Sequence, residues 1–208
     1  MIFPCVDEAK IIFYVILSLV NLSGNIRKKA NWIDKKGSIM TNRTDITMGG
    51  NAITLIGSEV VVGEKARDFS VVNFDLKPVT LADFAGKVKV ISVVPSIDTG
   101  VCSIQTKKFE AEATALKDTV VLTISVDLPF AQKRFAGENK IENNHLLSDY
   151  QTHDFGVEYG FEIEGLALLA RGVVVIDKDD VVRYVEYVKE VTTEPDYDAA
   201  LEVAKSLA

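Results

Sequence analysis

The strongest pattern in the chain lies between residues 88 and 188. Two apolar, β-branched runs, Val88–Val94 and Val120–Val126, are nearly free of charge. Such runs predict strands buried on both faces of a parallel sheet. Between them Ile104, Phe109, Ala113 and Leu116 recur at helical spacing over Ser103–Leu116. Lys107, Lys108, Glu110 and Glu112 fall mostly on the opposite side, which predicts an amphipathic helix. A second helical segment, Ala131–Phe135, is expected to stop at Gly137. Leu146–Asp149 reads as a short strand and its exit, and Phe155–Tyr159 as a short helix. Arg171–Ile176 and Val181–Val188 read as strands around the turn Asp177-Lys178-Asp179-Asp180. A last helix is expected to open near Pro195, with Tyr197, Ala200, Leu201 and Ala204 as its apolar stripe.

Upstream, Asp45–Met48 and Ala52–Ile56 flank Gly49-Gly50-Asn51. This predicts a hairpin in which glycine and asparagine supply the positive φ angles. Phe69–Asn73 reads as a strand, and Thr80–Phe84 as a short turn or helix stopped by Gly86. Strands alternating with helices, then a hairpin and a closing helix, predict an α/β sheet covered on both faces.

The pattern changes near Met40. Residues 1–39 carry a net charge of +3 within a chain of net charge −7, and hold its single tryptophan, Trp32. Ile11–Leu22 is a largely apolar run of 12 residues, whereas a membrane span needs about 20. Its leader contains Asp7 and Glu8, and no small-x-small cleavage site follows, which argues against a signal peptide. Lys35–Ile39 back-translates to a string that accommodates a bacterial ribosome-binding site ahead of the Met40 codon. We therefore expect residues 1–39 to be an untranslated leader read as protein, with a weak anchor as the alternative. Residues 40–208 then form one domain, and Cys5 is absent from the cell.

The remaining bulk properties narrow the chemistry. The acidic balance excludes a nucleic-acid partner. Two cysteines, Cys5 and Cys102, make no disulfide framework and suit a reducing compartment, hence the cytoplasm. His145 and His153 have no cysteines at metal-ligand spacing, so no metal and no cofactor is expected.

Cys102 is the centre of interest. It follows the Val88–Val94 run and opens the Ser103–Leu116 helix, in the string Pro95-Ser96-Ile97-Asp98-Thr99-Gly100-Val101-Cys102. A helix start presents unpartnered N–H groups and the positive end of the dipole, which favour a thiolate. A cysteine at such a junction is expected to be exposed. The alternative is a small buried hydrophobe, the usual fate of a free cysteine. Thr99 stands three residues earlier, within reach of the sulfur. Arg171 begins an apolar strand, where its charge needs a partner; from the residues alone, an edge-strand arginine in solvent is equally good. Asp98 reads as a cap of the following turn.

The segment resembles the peroxidatic loop of peroxiredoxins, Pro-x-x-x-Thr-x-x-Cys, and Pro95–Phe109 is similar to their thiol peroxidase branch. The likeness runs from about Thr44 to Leu207 and includes Val121–Phe135 and Thr192–Tyr197. It implies a thioredoxin-like fold with an N-terminal β-hairpin extension. It also implies a thiol peroxidase acting on hydrogen peroxide and alkyl hydroperoxides, with thioredoxin or a small thiol as reductant and a homodimer as assembly. Cys102 would be the nucleophile, Thr99 a donor to sulfur or peroxide, Arg171 the cation, and Pro95 the residue shaping the loop and screening the sulfur. That branch usually places a resolving cysteine just after the string that here reads Ala131-Gln132-Lys133-Arg134-Phe135, where this chain has Ala136. Sulfenic acid on Cys102 would then need an outside thiol. Two other functions compete: a non-enzymatic redox sensor or interaction module, and a cysteine hydrolase pairing Cys102 with His145 or His153.

Overall fold

The computed structural model describes residues 42–208, all within one structural unit; the expectations for residues 1–39 lie outside the described residues. The chain opens with β1 (Arg43–Met48) and β2 (Asn51–Ile56), antiparallel about the turn. Gly49 and Gly50 take φ of 59° and 78° there, as a two-residue hairpin requires. Then come β3 (Ser70–Val72), β4 (Pro78–Thr80), a 3-10 turn (Leu81–Phe84) and β5 (Val88–Val93). Next follow α1 (Gly100–Ala113), β6 (Thr119–Ser125), α2 (Pro129–Asn139), β7 (Asn144–Ser148) and α3 (Asp154–Glu158). The chain ends through β8 (Glu162–Ile163), β9 (Leu168–Leu169), β10 (Gly172–Ile176), β11 (Val182–Tyr187) and α4 (Tyr197–Leu207).

A seven-stranded sheet has the order β11-β10-β5-β6-β7-β3-β4, and a four-stranded sheet the order β1-β2-β8-β9. β5, β6 and β7 are parallel, and β10 joins β5 antiparallel. Every residue of β5 is buried, as its β-branched, nearly charge-free run predicts. Its one charge, Lys89, is satisfied by the Asp177 carbonyl at 3.2 Å and by the Asp180 carboxylate.

Alternation along β10 divides the core. Val173 and Val175 face α1 and α4, packing with Phe109, Leu116, Ala200, Leu201 and Ala204. Val174 and Ile176 face the other layer, with Phe155, Tyr159, Phe161 and Leu169. Arg171 shares the parity of Val173 and Val175, and so points toward α1.

Several boundaries differ from those predicted. α1 buries Cys102, Gln105, Thr106 and Phe109, a stripe at i, i+3, i+4 and i+7, while Ile104 is 45% exposed. Phe109 and Leu116 are buried and Ala113 packs against them as predicted, but the first turns of the inward face carry two polar residues, so hydropathy misplaced Ile104 alone. α2 runs from Pro129 through Gly137 to Asn139, and Lys140 supplies the left-handed ending at φ 54°. α4 begins at Tyr197 because the Asp196 carboxylate accepts the Ala199 N–H at 3.0 Å; Pro195 lies just before that cap. The apolar string Leu168–Val173 is broken at Ala170–Arg171. No helix among the described residues is long and apolar enough to cross a membrane.

Candidate active site

Cys102 occupies the first turn of α1, whose N-cap is Thr99 in an extended conformation. The first intrahelical bond runs from Ser103 N–H to the Thr99 carbonyl at 2.9 Å. The N–H groups of Gly100, Val101 and Cys102 therefore precede the helical ladder. Thr99 does not cap the helix with its side chain. Its hydroxyl lies 2.8 Å from Cys102 Sγ and 3.2 Å from the Ser96 carbonyl.

The sulfur is completely buried, which corrects the expectation of an exposed cysteine. Cys102 belongs to one buried apolar cluster with Val94, Ile97, Phe135, Ala136, Ile141 and Leu146, to which the loop and α2 both contribute. Pro95, two residues past β5, is buried as well, whereas Thr99 and Gly100 are exposed.

Arg171 reaches the sulfur from the opposite wall, with Nη2 at 3.2 Å. Its side chain is among the largest fully buried ones in the protein, at 2% exposure, which excludes the edge-strand reading. Each nitrogen has one acceptor: Nη1 donates to Gln105 Oε1 at 2.6 Å and Nε to the Val191 carbonyl at 2.7 Å. No carboxylate shares an ion pair with it among the described residues. A buried guanidinium needs an anion or several good acceptors, since leaving such a charge unpaired costs about 3–5 kcal/mol. Among its three hydrogen-bond partners, the sulfur is the one that can carry the matching charge.

Three supporting residues escaped the sequence reading. Gln105 sits one turn below Cys102 and is fixed by donating to Ser92 Oγ at 2.8 Å. Its signal was present: a glutamine three residues after the cysteine, on the same helical face. Val191 acts through its carbonyl, which no side-chain pattern reports. Asp127 ties the cysteine loop to the sheet, accepting from Ser96 Oγ at 2.7 Å, Ile97 N–H at 2.8 Å and Ser125 Oγ at 2.6 Å. Gln132 of α2 donates to that same Ser125 Oγ at 3.0 Å, so loop and helix share an anchor. Asp98 is exposed and faces Arg134 of α2 at 3.6 Å; it does not cap α1. Lys107 and Lys108 are exposed, and Lys108 pairs with Glu194 at 2.7 Å.

The histidines are engaged elsewhere. His153 Nδ1 meets Glu162 Oε2 at 3.0 Å, and the His145 ring lies 5.9 Å from that of Phe84. The hydrogen-bond partners of the sulfur are Thr99 and Arg171, so a Cys–His hydrolase dyad is not formed.

A thiol held between a hydroxyl and a guanidinium, on a helix start beside a parallel sheet, defines a redox-active member of the thioredoxin-like class. Residues 61–201 match the Redoxin family. The chain is 56% identical over 161 residues to a thiol peroxidase of Halalkalibacterium halodurans, covering 77% of this chain and 97% of that protein. It is 51% identical over 162 residues to a thiol peroxidase of Streptococcus pneumoniae, covering 78% and 99%. A solved peroxiredoxin-like protein from Aquifex aeolicus superposes with a TM-score of 0.75 at 39% identity, covering 80% of this chain and 99% of that one. The chain belongs to the Redoxin family, in the thiol peroxidase branch of the peroxiredoxins.

Proposed function

We propose that Cys102 reduces hydrogen peroxide and organic hydroperoxides, and that an external thiol restores it. The observation that carries this reading is the buried Arg171 guanidinium, which faces the Cys102 sulfur at 3.2 Å and shares no ion pair with a carboxylate among the described residues. An arginine in that setting is placed to pair with a thiolate, the form competent to attack. The thiolate sulfur bonds to one peroxide oxygen. The O–O bond breaks, and its electron pair leaves with the other oxygen as hydroxide or alkoxide, which takes a proton from water. Cys102 becomes sulfenic acid. The Thr99 hydroxyl and Arg171 Nη2 already point at the sulfur, and can follow the negative charge as it moves onto the leaving oxygen. We assign peroxide entry to the side of the exposed Thr99, and to the buried Pro95 the shaping of the loop.

With Ala136 at the place where relatives carry a resolving cysteine, an outside thiol attacks the sulfenic sulfur and water leaves. A second thiol then releases Cys102 from the mixed disulfide. Thioredoxin is our assignment for that donor, acting on a homodimer in the reducing cytoplasm. We expect slow turnover with thioredoxin alone and overoxidation to sulfinic acid at high peroxide.

Peroxide consumption by the parent and by Cys102→Ser tests the reading. We expect the parent to form a trappable sulfenic acid and to turn over with added thiol, and the variant to do neither. Stoichiometric oxidation without turnover under any thiol would instead favour a redox sensor, the reading that the missing resolving cysteine supports.

A further inference from the structure

Of the three acceptors that orient Arg171, one lies outside the sheet and the helix that flank the cysteine. The Val191 carbonyl, 2.7 Å from Nε, sits in the irregular stretch between β11 and α4. That stretch has no ladder of its own, so another part of the chain must fix it. Val188 N–H holds its start to the Arg171 carbonyl at 3.0 Å, and the N-terminal hairpin holds the part that carries Val191. Thr47 N–H donates to the Lys189 carbonyl and Val191 N–H to the Thr47 carbonyl, both at 2.8 Å. Between these two bonds lies Glu190.

Five donors converge on the Glu190 carboxylate. Its Oε1 accepts from Thr192 Oγ1 at 2.6 Å, Gly49 N–H at 2.8 Å and Thr192 N–H at 3.0 Å. Its Oε2 accepts from Thr47 Oγ1 at 2.8 Å and Gly50 N–H at 3.0 Å. With Gly49 and Gly50 both at positive φ, their two N–H groups turn to one side and form a small anion cradle, which Glu190 fills. These hydrogen bonds, that of the Thr192 hydroxyl foremost, hold its carboxyl far below the usual carboxylate range. It is thus a charged acceptor under all physiological conditions.

We propose that Glu190 is a positioning residue for the peroxidatic site: by locking residues 189–192 to the β1–β2 turn it fixes the Val191 carbonyl, and through it the Arg171 guanidinium. The inference rests on the peroxidase reading of Cys102 and Arg171. The physical reason is planarity. A guanidinium with Nε, Nη1 and Nη2 each committed to one acceptor cannot rotate in its plane. Releasing Nε leaves it hinged on Gln105, and Nη2 loses its aim at the sulfur.

The test is the rate of Cys102 oxidation by hydrogen peroxide, followed by trapping sulfenic acid. It compares the parent, Glu190→Ala, Glu190→Gln, Arg171→Lys and the double variant Glu190→Ala with Arg171→Lys. Loss of aim at a reacting atom is expected to slow Glu190→Ala roughly tenfold. Glu190→Gln keeps an acceptor oxygen for Gly49 and Thr192 and should recover most of that rate. In the Arg171→Lys background the Glu190→Ala effect should vanish, because its target is gone. A folded Glu190→Ala that matches the parent, or an equal loss in both backgrounds, overturns the inference. Should Glu190→Ala fail to fold, Thr192→Val removes one donor of the five. It should slow the reaction roughly two- to threefold, and parity with the parent overturns the inference just as well. If the parent itself forms no sulfenic acid at Cys102, the peroxidase reading falls and this inference with it. If the parent is oxidised and the variants match it, only the role of Glu190 is lost.

Discussion

Thr99 has one hydroxyl proton and two acceptors within reach, Cys102 Sγ at 2.8 Å and the Ser96 carbonyl at 3.2 Å. The shorter contact and the charge available on sulfur favour the thiol, and the helix forgoes a side-chain cap as a result. An N-cap hydroxyl normally contributes about 1 kcal/mol to a helix; here that contact is exchanged for one to the reacting atom. Thr99→Val keeps the β-branched shape and removes the proton. We expect the second-order oxidation of Cys102 to fall by roughly 10–100-fold in this variant, as for loss of one donor aimed at developing charge. Thr99→Ser should stay within a few-fold of the parent, and stopped-flow mixing with peroxide measures both. At this scale the residue types were legible: cysteine, threonine, proline and arginine all stood out by position. Gln105 and Asp127 did not, because their partners lie on other elements. Gln105 meets Arg171 across 66 residues, and Asp127 meets Ile97 across 30.

Among the elements, α1 shows why a hydropathy pattern can find a helix and most of its buried face yet miss the polar part of that face. Its inward stripe runs Cys102, Gln105, Thr106, Phe109. The polar members are satisfied by internal bonds: Gln105 with Ser92 and Arg171, and Thr106 Oγ1 with the Cys102 carbonyl at 2.9 Å. An apolar Ile104 left on the outside then reads as the more natural core residue. Helix α2 presents the second consequence. Its buried face places Phe135 and Ala136 in the same apolar cluster as Cys102. Ala136→Cys puts a thiol into that cluster. We expect peroxide-treated Ala136→Cys to yield a disulfide between Cys102 and the introduced thiol by peptide mapping, with less sulfinic acid than the parent and faster turnover with thioredoxin. Unchanged sulfinic acid and no disulfide would mean that α2 holds position 136 away from the oxidised sulfur.

Across the whole molecule, the two sheets meet at an acidic cluster. The Asp149 carboxylate, just past β7, accepts the N–H groups of Phe155 and Gly156 at 3.1 and 2.8 Å. Glu162, on β8 of the smaller sheet, contacts His153 at 3.0 Å. A Cβ added at Gly156 would lie 3.0 Å from Glu162 Oε2 and 3.4 Å from Asp149 Oδ2, so both carboxyls face one spot. Burial pushes Asp149 up from 3.8 to about 7, and burial raises Glu162 as well. The folded protein therefore holds a proton on Asp149, between about pH 4 and 7, that the unfolded chain has released. Stability contributed at this site is present at the acid end of that window and lost as pH rises through it. Asp149→Asn imitates the protonated form and should flatten that decline, read as the urea midpoint against pH; a variant curve parallel to the parent's would refute the assignment. The sequence alone determined the longer strands and helices, because strand burial, helical spacing and turn glycines are local properties; the short strands β4 and β8 escaped it. It also located the thiol, the hydroxyl and the arginine. Tertiary structure decided that the sulfur is buried rather than exposed and that the arginine is buried rather than solvated. It also brought an amide, a backbone carbonyl and a distant hairpin to bear on one guanidinium. Those outcomes depend on which surfaces the folded sheet brings face to face, and no local pattern encodes that.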